Sequence, residues 1–243
     1  MVSPLQQRKQ RIARMVVQQH TATVCSGDTQ IEPIQRADSN EWDLVRASIS
    51  KDESALKSFR SIDDKVSYKT RCMEQYEPYI GRKNIPLDIA AILMVWLFDT
   101  QKIGDAVSLG QYCIKYGASM PTRFKSGTTV EIFIADSVLS WAENAFKNNE
   151  SVSPFFDDTL HLIESEWETY DQIPAKYYKL SGFMALGKYG TEIKHVPDPE
   201  HLYAAKAWFE KAQKKYDKIG VGTRINEIDK RLKKLNLPLV AED

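Results

Sequence analysis

Cysteine is scarce in this 243-residue chain, and the three present, Cys25, Cys72 and Cys113, share no pairwise spacing. An odd count without a CxxC pair argues against a disulfide framework or a cysteine-rich zinc site and favours a reducing compartment. Net charge is missing too: 33 Lys and Arg balance 33 Asp and Glu, which excludes a uniformly basic, histone-like binder. No apolar run is long enough to cross roughly 30 Å of hydrocarbon, the most apolar being Ile89 to Phe98. The opening MVSPLQQRKQRIARMVVQQH carries no apolar leader, so the expectation is a soluble, cytoplasmic protein without membrane contact. Strand-length alternation of apolar and polar residues is hard to find as well. What remains is 42% apolar and 10% aromatic side chains, enough to bury real cores in one or two domains.

The balanced total hides segregated charge. Before Asp28 the charged side chains are Arg8, Lys9, Arg11 and Arg14, with His20 the one further titratable group, so the start reads as a purely basic arm. Between Glu131 and Asp171 ten acidic residues face one basic residue, Lys147. From Lys206 to Lys234 ten Lys and Arg stand against Glu210, Asp217, Glu227 and Asp229. Lys and Arg beside a polyanion gain by releasing condensed counterions, which makes the arm a candidate phosphate contact. The later basic residues, interspersed with acids, read as a solvated helix face.

Helical spacing recurs throughout, so the fold class is all-α, built from antiparallel helical hairpins. Phe59, Ile62, Val66, Met73, Tyr76 and Ile80 trace one stripe along a long helix ending near Pro78. Ser50 with Glu53 and Ser61 with Asp64 form capping-box patterns that suggest helix starts and could divide it in two. Leu87 to Phe98 is apolar on nearly every face, which implies burial on all sides, either in the chain's own core or in a seam between subunits. Gly104 marks a turn, and the helix from Ala106 to Tyr116 stops at Gly117. Ile132 to Phe146 and Pro154 to Tyr170 read as two further helices with acidic faces. Ala175 to Leu186 and Glu200 to Tyr216 read as a hairpin, and Arg224 to Leu235 as a last helix. Ala205, Phe209 and Ala212 give the A-x3-F-x2-A pattern of tetratricopeptide-type packing, which makes the carboxy-terminal part tetratricopeptide-like.

Catalytic chemistry is sparse. Gly182, Gly187 and Lys188 have the spacing of a phosphate-binding loop, but Tyr189 stands where a hydroxyl should hold magnesium, and no strand precedes it. Asp157, Asp158 and His161, joined by Glu192 and Lys194, are the candidate carboxylate cluster for a metal-dependent nuclease, yet such sites normally sit on strands. His195 and His201 have no third ligand nearby in sequence. Trp96, Trp141, Trp167 and Trp208 fall on apolar helix faces and read as core. No catalytic residue, metal site or cofactor is assigned.

Met94-Val-Trp-Leu-Phe-Asp99-Thr100, Gly104-Asp-Ala106, Tyr112, Lys115-Tyr116-Gly117 and Met120-Pro121 closely resemble the hallmark stretch of the small terminase subunits of temperate, contractile-tailed, cohesive-end phages. Similarity runs from about Leu44 to Leu235. It departs at Gly27 to Trp42, which is divergent and acidic, and at Leu239-Val-Ala-Glu242-Asp243, where family members can carry a basic tail. The resemblance implies a genome-packaging role in the host cytoplasm. The small subunit recognises the cohesive-end site of concatemeric double-stranded DNA, assembles with itself into a ring, and hands the DNA to a large subunit with the ATPase and nuclease. It raises the case for Arg8, Lys9, Arg11 and Arg14 as DNA contacts, with Lys65, Lys69 and Arg71 second in rank.

The resulting division is a basic arm with an acidic linker over 1–43, a long helix with a buried hairpin over 44–130 as the oligomerisation core, and acidic helices with the last hairpin over 131–243. Two other readings compete with the terminase one: a helical-repeat adaptor that binds protein and no DNA, and the metal-dependent endonuclease.

Overall fold

The computed structural model describes residues 33–187 and 192–235, the first seven of these by backbone alone. The arm residues Arg8, Lys9, Arg11 and Arg14 lie outside the described residues, as do Lys188 and the acidic end. Nine α-helices and no strand occur among the described residues: α1 (Pro33–Leu56), α2 (Ile62–Tyr76), α3 (Leu87–Asp99), α4 (Ile103–Lys115), α5 (Val130–Lys147), α6 (Phe155–Ser165), α7 (Gln172–Ala185), α8 (Pro199–Lys215) and α9 (Gly222–Lys234). The chain divides into two units between Leu44 and Val45, and α2 to α9 belong to the second. No described helix is long and apolar enough to cross a membrane.

The sequence stripe from Phe59 to Ile80 is broken in two. Helix α2 starts at Ser61, whose hydroxyl accepts from the backbone N–H groups of Asp63 and Asp64, the expected cap. Ser50 instead lies inside α1, because Val45 and Ile49 bury one face of that helix and carry it through to Leu56. Phe59 falls in the break and Ile62 is exposed, so neither belongs to a continuous seam.

Asp52 ties the two helices together. Tyr68 donates its hydroxyl to Asp52 Oδ1 at 2.8 Å and Tyr76 donates to Oδ2 at 2.6 Å. The hydrogen bond to Asp52, with burial adding to it, pushes the Tyr68 phenol up to about 12; burial first and Asp52 second push Tyr76 higher. A raised folded pKa means that this stability is fully present below the free phenol's 10.0 and is lost as pH rises through the folded value. Asp52→Ala is expected to cost about 1–3 kcal/mol in urea unfolding, because it orphans the fully buried Tyr76 hydroxyl. The variant should also bring the Tyr68 phenolate titration back towards its free value. An unshifted alkaline titration would show that Asp52 does not hold the pair.

Helix α3 is the core. Nine of its thirteen residues are buried, including Leu93, Met94, Trp96 and Leu97, and they are buried within a single chain. Of the two sequence expectations for this helix, monomer core is therefore the one realised. It turns back into α4 through Thr100 to Lys102, with Gln101 at φ 61, so Gly104 is not the turn but the first full turn of α4. Its missing Cβ admits the Phe155 ring, which would stand 3.3 Å away. Gly117, at φ +72, stops α4 as expected. Burial pushes the Cys113 thiol to about 11 and is the first cause raising Cys72.

Along the chain α4 packs on α3, α5 on α4, α7 on α5, α8 on α7 and α9 on α8. The last hairpin closes on Leu186, Ile193, Val196, Leu202, Phe209, Ile228 and Leu232. Gly182 of the failed phosphate-loop motif lies in α7 directly under Phe209; a Cβ there would meet ring carbon Cε1 at 2.5 Å. Gly187 has φ +59 at the end of that helix, so both glycines serve packing and chain reversal. Trp96 and Trp167 are buried as expected, while Trp141 and Trp208 are half-buried against Phe155 and Tyr178.

Candidate functional site

Four of the ten Lys and Arg from Lys206 to Lys234 are held by acids, as is Lys176 on α7. Lys211 reaches Glu164 at 2.6 Å, Lys215 reaches Asp171 at 2.8 Å, and Lys176 lies 3.7 Å from Asp136. Lys206, buried between α8 and α9, lies 3.0 Å from Asp229 and 3.4 Å from Glu210. Arg224 pairs with Glu227 at 2.8 Å. The solvated face expected from the sequence holds for Lys214, Lys218, Lys230, Lys233 and Lys234, which are exposed and have no ion-pair partner among the described residues, while Lys206, Lys211, Lys215 and Arg224 are ion-paired. Burial opposes the charged Glu164 carboxylate, but Lys211 and neighbouring donors outweigh it and hold its pKa below the ordinary value.

A cleft of about 870 Å³ opens among the end of α1, α2, α3 and the loop from Gly117 to Arg123. Leu56, Leu87, Ala91, Ile92 and Met120 supply apolar walls. Four cations, Lys57, Lys65, Lys69 and Arg123, line it against two carboxylates, Glu53 and Asp88. Each carboxylate is engaged: Arg123 reaches Glu53 at 2.5 Å, and Arg46 grips Asp88 through Nε at 2.7 Å and Nη2 at 3.2 Å. Lys69 reaches Asp99 at 2.5 Å and is mostly covered. Among the described residues, Lys57 and Lys65 have no ion-pair partner, so the surplus positive charge of the cleft sits on these two.

Of the three second-rank DNA candidates, Lys65 and Lys69 share the cleft, one helical turn apart on α2. Lys69 is committed to Asp99, and a phosphate would have to compete for it. Arg71 does not line the cleft; it is exposed, with its guanidinium 5.8 Å from the Tyr68 ring centroid. Lys57 and Arg123 were missed as site residues. They lie far apart in sequence and converge only because the loop after α4 returns over the end of α1.

The Arg46 hydrogen bonds, against some burial, hold the Asp88 carboxyl below its ordinary 3.8. A depressed folded pKa places this stability above 3.8 and removes it as pH falls through the folded value. The pair is more than a third exposed, so its share is small. Arg46→Ala should therefore leave neutral-pH stability nearly unchanged and flatten the loss of stability in acid. A steeper acid profile in that variant would contradict the pairing.

The nuclease candidates do not gather. Asp157 and Asp158 open α6, where Asp157 accepts from the Ser153 hydroxyl, and Glu192 sits 3.8 Å from His195 in a separate 3-10 turn. Among the described residues no group of three or more His, Cys, Asp and Glu could hold a metal ion.

Comparison with known proteins adds a family match. The model described as phage small terminase subunit matches residues 46–172, more than half of the chain. Over 209 residues, 81% of this chain and 72% of the relative, the sequence is 27% identical to a protein named probable terminase, endonuclease subunit, from Haemophilus phage HP1. Over 188 residues, 75% of this chain and 70% of the relative, it is 26% identical to the terminase, endonuclease subunit of Escherichia phage P2. No solved structure matches.

Proposed function

Because the chain belongs to the phage small terminase subunit family, and so to phage DNA packaging, we propose that it recognises the cohesive-end site of concatemeric DNA, assembles with itself into a ring and recruits the large ATPase and nuclease subunit. The observation that carries this reading is where positive charge is left over. Lys57 and Lys65 have no ion-pair partner among the described residues and line one cleft with Lys69 and Arg123, and Arg8, Lys9, Arg11 and Arg14 have no acid near them in sequence; of the carboxy-terminal cations, Lys206, Lys211, Lys215 and Arg224 are ion-paired. Duplex DNA meets the arm first, with the cleft lysines as a secondary contact. Several arms on one ring would share a duplex at high effective concentration, so each needs only modest affinity.

The acidic-faced second half is left for protein contacts, including the large subunit. The close approach of Gly182 to Phe209, with Ala205 and Ala212 buried on the same helix as Phe209, supports a tetratricopeptide-like packing of that hairpin. The names of the HP1 and P2 relatives describe endonuclease subunits; for this chain, cutting is assigned to the large subunit it recruits.

The experiment pairs a mass measurement of the purified full chain with duplex binding to a cohesive-end fragment and to a scrambled one of equal length. A closed multimer that prefers the cohesive-end fragment is the expected result. A monomer that binds neither fragment at low salt leaves the protein-only adaptor as the better reading, and magnesium-dependent nicking abolished by Asp157→Ala would establish the nuclease.

A further inference from the structure

A second hollow, of about 840 Å³, lies between the turn after α2 and the last turns of α4, and its chemistry differs from that of the cleft. Tyr112 donates its hydroxyl to the carbonyl oxygens of Ile85 at 3.0 Å and Lys83 at 3.3 Å, which fixes its ring. Tyr116, one helical turn on, rests against that ring with centroids 4.7 Å apart, yet is 53% exposed. The outcome is a half-exposed aromatic ring braced at a 51° tilt by Tyr112, with the Lys115 ammonium over it. Around it stand Lys83 and Lys115, the Lys115 ammonium 5.4 Å from the Tyr116 centroid, while Arg82 donates to the Pro78 carbonyl at 3.2 Å and lies over the Tyr79 ring at 4.7 Å; Asp105 is the one carboxylate in the lining.

A held aromatic face flanked by spaced cations suits a ligand that alternates planar rings with anions. In a duplex the faces of the bases are covered by their neighbours, so only an unpaired strand can offer a base to such a plane. An acidic peptide would satisfy the cations, but it offers a planar ring only where it carries an aromatic residue, whereas every nucleotide pairs a ring with a phosphate. We propose that this hollow binds single-stranded DNA, stacking a base on Tyr116 while Lys83 and Lys115 hold the adjoining phosphates. Tyr112 braces one side of Tyr116, and a stacking base displaces the Lys115 ammonium from over the ring towards the phosphates. The site stands on this geometry and not on the packaging reading.

The test uses the full chain with Arg8, Lys9, Arg11 and Arg14 changed to Ala, so that the arm does not mask a second site. A fluorescein-labelled oligothymidylate of about ten nucleotides, a span covered by one stacking groove, is titrated by anisotropy at low salt. Tyr116→Ala is expected to weaken binding about 5- to 100-fold, the range of one lost stack. Tyr116→Phe should retain most of it. Lys83→Glu with Lys115→Glu should weaken it further and reduce the slope of log affinity against log salt by about 1.4. A duplex of the same length should respond to Tyr116→Ala by less than about twofold, since it has no free base face to lose. Unchanged oligothymidylate binding by Tyr116→Ala overturns the proposal, as does an equal loss with Phe. So does displacement by polyglutamate as readily as by unlabelled oligothymidylate. Duplex binding by the unaltered arm is measured separately, so either result can fail alone.

Discussion

Phe209→Ala is expected to lower the unfolding free energy by about 3–5 kcal/mol, the usual cost of removing a fully buried phenylalanine. The ring packs edge-to-face on Phe183 at 5.2 Å and covers Gly182, so its loss opens the centre of the last hairpin. Gly182 makes the prediction sharper. In the native chain Gly182→Ala forces a methyl to within 2.5 Å of the Phe209 ring, and overpacking of about 1–3 kcal/mol outweighs the roughly 1 kcal/mol that alanine gains over glycine within a helix. Once Phe209 is Ala, the clash is gone and the helix preference remains. Gly182→Ala should therefore change sign, from destabilising alone to stabilising beside Phe209→Ala, when the four chains of the cycle are compared by urea unfolding. The same sign in both backgrounds would mean that the two helices do not meet through this pair.

The largest binding effect is expected from the arm. Each cation that neutralises a duplex phosphate contributes about 0.9 to the slope of log affinity against log salt. Changing Arg8, Lys9, Arg11 and Arg14 to Ala should thus remove about 3.6 from that slope. Between 50 mM and 200 mM salt the unaltered chain should lose roughly 10²-fold more affinity than the variant. Lys57→Glu with Lys65→Glu is expected to act in the same direction with about half the slope change, about 1.8, since two sites are altered. Were the slope to stay unchanged without the arm, the cleft would become the principal duplex contact.

Periodicity carried much of the fold. Helix α3 was readable because its residues are apolar on every side, and Gly117 because a left-handed residue ends a helix most cheaply as glycine. The break between α1 and α2 was only half readable. Ser61 and Ser50 carry the same four-residue pattern, and what separates them is that Val45 and Ile49 are buried ahead of Ser50, a tertiary fact. Pairing of distant charges was not readable at all: Lys211 finds Glu164, and Lys69 finds Asp99, only after the helices have packed. That is why Lys211 and Lys215 differ from the solvated Lys214 between them, and why Lys65 and Lys69, alike in sequence, differ in availability. Lys57 and Arg123 entered the cleft through the path of a loop, for which helical spacing gives no signal.

The buried sulfur of Cys113 bears on how the molecule can be labelled. Only the ionised sulfur attacks an electrophile, and for Cys113 at about 11 roughly one molecule in 10⁴ carries it at neutral pH. With Cys25 and Cys72 replaced by Ser, a maleimide dye should pass Cys113 by while the fold is intact and react once denaturant opens it. Cys113 is thereby a built-in reporter of unfolding, and a cysteine engineered onto an outer helix face of that variant could be tagged in its presence.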